Sequence, residues 1–135
     1  MQAELVLHVP SDVACIEEAV ELVARHLEAH FIDRRTIQFN CRVALCEALT
    51  NAIVYGNCGD SSKQVSVKVL FGRTDIEMEV EDEGAGFDPY HLPDPTQPDR
   101  LTNPDGRGIF LIQRLVDEVR FNRRGNAICM ILRRA

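Results

Sequence analysis

Three short segments hold residues that could do chemistry together. In ALCEALTNAIVYGN, residues 44–57, Glu47 and Asn51 stand one helical turn apart. The small Ala44 and Ala48 share their face and leave room for a ligand. One carboxylate and one amide oxygen at that spacing can offer a base and an oxygen ligand to a hydrated Mg²⁺, which takes few protein ligands and keeps its waters. In EVEDEGAGFDP, residues 79–89, the preceding alternation puts Ile76, Met78 and Val80 on one side of a strand and turns Asp82 inward by the same parity. A buried carboxylate is costly without donors, so Asp82 must meet either protein amides or the amino group of a ligand. Gly84 and Gly86 let the backbone run tight against a flat ring or adopt positive φ. In Asp105-Gly106-Arg107-Gly108, glycines lead into the apolar Ile109-Phe110-Leu111. They expose the first amides of a helix, where phosphate binds, and Arg107 adds a positive charge.

Each segment alone has an ordinary explanation: a solvated polar face, a capped strand end, a flexible helix start. Together, in this order and each at an element edge, they supply a base, a metal ligand, a reader for a base ring and a phosphate cradle. That combination is an ATP site. Neither G-x-x-x-x-G-K-[ST] nor a strand followed by G-x-G-x-x-G is present, which excludes a P-loop or a Rossmann site.

The elements that must position these groups follow from periodicity. Residues 4–9 alternate as a first strand; Ser11-Asp12 can cap an amphipathic helix from Val13 to His30, with Ile16, Val20, Val23, Ala24 and Leu27 on its apolar face. Asp33 can cap a second helix that runs to about Tyr55 and stops at Gly56, with Phe39, Val43, Cys46, Leu49 and Ile53 as its core stripe. Val65, Val67, Val69 and Phe71 turn back through Gly72–Asp75 into Ile76, Met78 and Val80, a β-hairpin. Periodicity vanishes from Gly84 to Gly108, a length that points to a functional segment such as a lid. A third helix over roughly Gly108–Val116 and a hairpin of Val119–Phe121 with Ala127–Leu132 close the chain. The order βααββ–lid–αββ predicts one α+β domain over residues 1–135, a two-layer sandwich whose mixed, mainly antiparallel sheet is covered on one face by helices.

Composition narrows the function classes. The chain has 135 residues, 45% hydrophobic and 27% charged, and a formal charge of −6, ordinary globular values that argue against a general nucleic-acid surface. No apolar run reaches the length of a membrane span, and MQAELVLHVPSD has no basic leader region, so a cytoplasmic location is expected. The five cysteines contain no C-x-x-C pair. Cys15, Cys46 and Cys129 read as small reduced core residues, and His26 and His30 as exposed helix residues rather than metal ligands.

At this point the sequence resembles a known family. Glu47-Ala48-Leu49-Thr50-Asn51-Ala52 with Tyr55-Gly56-Asn57 is similar to the N box of the GHKL, or Bergerat-fold, ATPases. Asp82–Gly86 is similar to their first glycine box and Gly106–Gly108 to their second. The closer match is to the stand-alone serine/threonine kinases that act as bacterial anti-sigma factors, through Gly106–Ile112 and the following Asp117-Glu118-Val119. The resemblance implies a Bergerat fold binding ATP and Mg²⁺. Asp82 would accept from the adenine amino group, with Gly84 and Gly86 allowing close approach; Asn51 would coordinate the metal, and Glu47 would be the catalytic base. Gly106, Arg107 and Gly108 would hold the phosphates beneath an ATP lid at 88–105. It also implies a homodimer that inhibits a sigma factor and phosphorylates a serine of an antagonist protein. Two alternatives stand beside it: a nucleotide-binding regulatory module that sequesters a partner without catalysis, and a detached histidine-kinase catalytic domain. The sequence departs from the family in the last hairpin, where Arg124-Gly125-Asn126-Ala127 replaces a Gly-Thr pair, and in the four prolines from Pro89 to Pro98.

Overall fold

A computed structural model describes residues 3–30, 32–84 and 104–133. Its sheet is built from β1 (Ala3–Pro10), β2 (Gln64–Phe71), β3 (Asp75–Glu81), β4 (Glu118–Phe121) and β5 (Ala127–Arg133), in the spatial order β1-β2-β3-β5-β4. All four pairings are antiparallel. Alternation within the strands decides which side faces the helices. Val65, Val67 and Val69 of β2, Ile76, Met78 and Val80 of β3, and Met130 and Leu132 of β5 are buried on that side. In register, Val80 lies opposite Val67 and Ile128, and Met78 opposite Val69 and Met130, so the apolar rows run straight across the sheet.

Helices cover this face. α1 (Ile16–Ala29) follows a short 3₁₀ turn capped by Asp12, whose carboxylate accepts from the Ala14 amide at 2.9 Å. α1 buries Val20, Val23 and Leu27, and at its C-terminus His30 stacks flat on Phe71 with ring centroids 4.0 Å apart. His30 is therefore partly buried, not the exposed residue expected. Asp33 opens the second helical rod by accepting from the Thr36 amide at 3.0 Å. The rod comprises a π-helical stretch Thr36–Cys41, α2 (Arg42–Thr50) and a second π-helical stretch Asn51–Gly56. Among the described residues no helix is long and apolar enough to cross a membrane.

The π-helical turns correct the expected core stripe. Leu49 and Ile53 are buried, but Phe39 is 65% exposed and Cys46 is also exposed; Ile37, Cys41, Leu45 and Ala52 face the core instead. A π-turn closes its hydrogen bond one residue further along than an α-turn, so each one shifts the phase of the apolar face. The same shift exchanges the cysteines. Cys41 is the buried one, with its thiol pushed up to about 12 by burial, while Cys15 and Cys129 are half-buried. The last helix, α3 (Pro104–Leu115), begins earlier than expected, with the proline at a first-turn position where its missing N–H costs nothing. The 88–103 part of the expected lid lies outside the described residues.

Candidate functional site

The end of the second helical rod, the end of β3, the start of α3 and the β4–β5 turn meet around one cavity of about 210 Å³. Ala48, Asn51, Ala52 and Tyr55 line it from the rod, Ile109 from α3, Val80 and Asp82 from β3, and Phe121, Asn126 and Ile128 from the last hairpin. The walls are largely aliphatic and aromatic, and the polar side-chain groups are few: a carboxylate, two carboxamides, the Tyr55 hydroxyl and the Cys58 thiol. A flat heteroaromatic ring with one amino group suits such a lining.

Asp82 supplies the carboxylate. The strand parity of β3 carries it to the helix-facing side, where it is half-buried. Gly84 donates its amide N–H to Asp82 Oδ1 at 2.7 Å, so the strand end is capped as well as turned inward. Desolvation by burial raises the carboxyl above its ordinary range, and the charge of Glu81 adds to that; the Gly84 bond, Arg124 and Lys63 oppose it. The carboxylate fills the space in which Gly56 would carry a side chain. Gly56 therefore does more than end a helix: the positive φ values of the following turn fall on Cys58 (53°) and Gly59 (67°). Gly84 in turn packs its α-carbon on the Gly56 carbonyl, leaving no room for a β-carbon. Its missing side chain serves an internal backbone contact.

The second cluster lies along the rod. A β-carbon placed on Gly108 would stand 2.8 Å from Asn51 Nδ2 and 3.2 Å from both Asn51 Oδ1 and Glu47 Oε2. The start of α3 thus rests on the Glu47/Asn51 face, and residues 47, 51 and 108 form one group. Because α3 starts at Pro104 and not at Gly108, only Gly106 of the three residues 106–108 keeps an amide with no acceptor within the helix, and Arg107 and Gly108 follow it inside the hydrogen-bonded turns. The Arg107 side chain and Gly86 lie outside the described residues.

Four residues that sequence reasoning left without a role complete the site. Asn126 is buried at 7% exposure. Its Nδ2 donates to the Asp82 carbonyl at 2.8 Å while the Asp82 amide donates to the Asn126 carbonyl at 2.9 Å. Asn122 holds this turn by donating to Asn126 Oδ1 at 2.6 Å and accepting from the Asn126 amide at 3.0 Å. Arg124 donates to the Gly84 carbonyl at 3.0 Å. Asn57, 1% exposed, accepts from the Glu83 amide at 2.8 Å. The bonds that Asn57, Arg124 and Asn126 make to residues 82–84 span 26 to 44 positions in sequence; the local signal was amide residues crowding two predicted turns.

The family described as histidine kinase-like ATPase domain matches residues 9–132 of this chain. Among named proteins, the serine-protein kinase RsbW of Oceanobacillus iheyensis is 29% identical over 99 residues, covering 67% of this chain and 61% of its own length. The serine-protein kinase RsbW of Listeria monocytogenes is 28% identical over 88 residues, 58% of this chain and 54% of its own. The anti-sigma F factor of Bacillus thuringiensis is 29% identical over 82 residues, 58% of this chain and 55% of its own. The chain thus spans between 54% and 61% of the length of these relatives.

Proposed function

Because the chain belongs to the histidine kinase-like ATPase domain family, we propose that it is an ATP- and Mg²⁺-dependent protein-serine/threonine kinase acting as an anti-sigma switch. Its substrate would be a serine of an antagonist protein. The observation that carries this reading is the seating of Gly108 against both Glu47 and Asn51, beside the cavity that Asp82 lines. The names of the similar proteins, two serine-protein kinases and an anti-sigma F factor, agree with it.

In this reading Asp82 accepts from the amino group of adenine between the apolar walls formed by Val80, Ile109 and Ile128. Asn51 offers its carboxamide oxygen as the protein ligand to Mg²⁺, and the ion, when bound, offsets the charge of the transferring phosphoryl group. Gly106 with a first-turn amide and Arg107 with its guanidinium hold the phosphates. Gly108, with no side chain, lets them lie close to Glu47 and Asn51, and residues 88–105 cover them. Glu47 takes the proton of the substrate hydroxyl, and its place one turn before Asn51 keeps base and metal ligand on one rigid face. The protein works as a cytoplasmic homodimer whose partners are a sigma factor and an antagonist domain.

Incubation with γ-labelled ATP, Mg²⁺ and the candidate antagonist should yield acid-stable label on serine, and Glu47→Gln should abolish it while leaving nucleotide affinity within about twofold. Normal nucleotide binding without transfer would refute the kinase reading. Full regulatory output from Glu47→Ala would favour a non-catalytic module that sequesters its partner, and acid-labile label would favour histidine-kinase chemistry.

A further inference from the structure

We infer that Asn57 is a positioning residue for base recognition, fixing the Asp82 turn to the end of the helical rod that carries Glu47 and Asn51. The inference rests on the nucleotide reading above and goes beyond it by naming what orients the base-reading carboxylate.

Every polar atom of the buried Asn57 side chain is engaged. Oδ1 accepts from the Glu83 amide at 2.8 Å, and Nδ2 donates to Ser11 Oγ at 2.8 Å and to the Gln64 carbonyl at 3.1 Å. Ser11, 5% exposed, donates its own hydroxyl to the Lys63 carbonyl at 2.8 Å. One carboxamide therefore joins four segments: the end of β1, the end of the rod, the entry to β2 and the residue directly after Asp82. The Asn57 amide donates to the Ala52 carbonyl at 2.8 Å, so its own place is set by the π-turn that begins at Asn51. Glu83 adds a second tie, its carboxylate accepting from the Gln64 amide at 2.5 Å.

Apolar packing at this corner could stabilise it, but only directed bonds set an angle. A fully satisfied buried network holds a single arrangement, and a partly satisfied one is costly. Asn126 grips Asp82 from the opposite side through its backbone and ties it to the β4–β5 turn. Asn57 grips the next amide and ties it to the helix that holds the base and metal ligand. Loss of the Asn57 bonds releases the peptide between Asp82 and Glu83, and with it the direction in which the carboxylate accepts.

Calorimetric titration with ATP·Mg²⁺ and with purine riboside triphosphate·Mg²⁺, which lacks the 6-amino group, separates orientation from general stability. The wild-type chain should prefer ATP by at least about tenfold, the worth of one hydrogen bond to a carboxylate. In Asn57→Ala the ATP affinity should fall about tenfold while the analogue changes less than about twofold, so the preference collapses. Ser11→Ala, which removes one partner of Asn57 and perturbs the fold less, should lose part of the preference and serves if Asn57→Ala does not fold. An unchanged preference in a folded variant, or equal weakening of both nucleotides with a lowered Tm, overturns the inference and leaves Asn57 a structural residue. A wild-type chain that binds both nucleotides equally overturns the role of Asp82 itself, a separate and distinguishable failure.

Discussion

Asp82 meets opposed demands. Burial disfavours its charge, yet an acceptor for a ligand amino group is of most use ionised and dry. Because its folded-state carboxyl holds a proton to higher pH than the unfolded chain does, folding takes up a proton between the two values. This contribution lowers stability as pH rises through that window and stays level above it. Asp82→Asn keeps an acceptor for the Gly84 amide and removes the disfavoured charge. In denaturant titrations it should equal or exceed the wild type near neutral pH, with the advantage shrinking on acidification through the carboxylate range. It should bind ATP at least tenfold more weakly, the scale of a lost hydrogen bond to a charged group. Gly84, expected to admit a ligand, instead serves an internal contact with Gly56. The inward parity of Asp82 and the one-turn spacing of Glu47 and Asn51 were legible in the sequence because they are local. Asn57, Asn126 and the second use of Gly56 were not, since their contacts are made across distant elements. Gly56→Ala would thrust a methyl group into the Asp82 carboxylate. A destabilisation of roughly 1–3 kcal/mol is expected from overpacking, with partial relief in the Gly56→Ala/Asp82→Ala double variant of a thermodynamic cycle.

At the scale of elements, period-two alternation located β2, β3 and β5 well, because one buried face leaves the register little freedom. The second helix was harder. Its caps were readable, but the π-turns that shift its stripe have no signature in residue types, and they turned Phe39 and Cys46 outward. That phase can be checked by thiol labelling. Exposure should let Cys58 and Cys46 react first, Cys46 more slowly of the two because burial and the charge of Glu47 push its thiol up. Cys41 and Cys129, whose thiols burial pushes up to about 12 and about 11, should lag. ATP should protect Cys58, which lines the cavity, and leave Cys46 unchanged. Gly108 tests the contact between two elements. An alanine there favours the helix intrinsically by about 0.5–1 kcal/mol, but its β-carbon would stand 2.8 Å from Asn51 Nδ2. Gly108→Ala should keep its Tm within a few degrees and lose at least tenfold in phosphoryl transfer.

For the whole molecule, the decisive feature is where the cavity falls in the order of strands. The β2–β3 and β4–β5 hairpins are each local, whereas β3–β5 joins residues 75–81 to residues 127–133. Glu47, Asn51 and Asp82 belong to the first side of that junction, and Gly108, Ile109 and Asn126 to the second. ATP·Mg²⁺ at a hundred times its Kd should stabilise the protein by about 2.7 kcal/mol, read as a rise in Tm. The gain should also be uneven. A nucleotide in this cavity rivets two halves of the sheet that local turns leave unconnected. Amide hydrogens along β3 and β5 should then exchange more slowly with solvent on binding, while those between β1 and β2 should keep their rates.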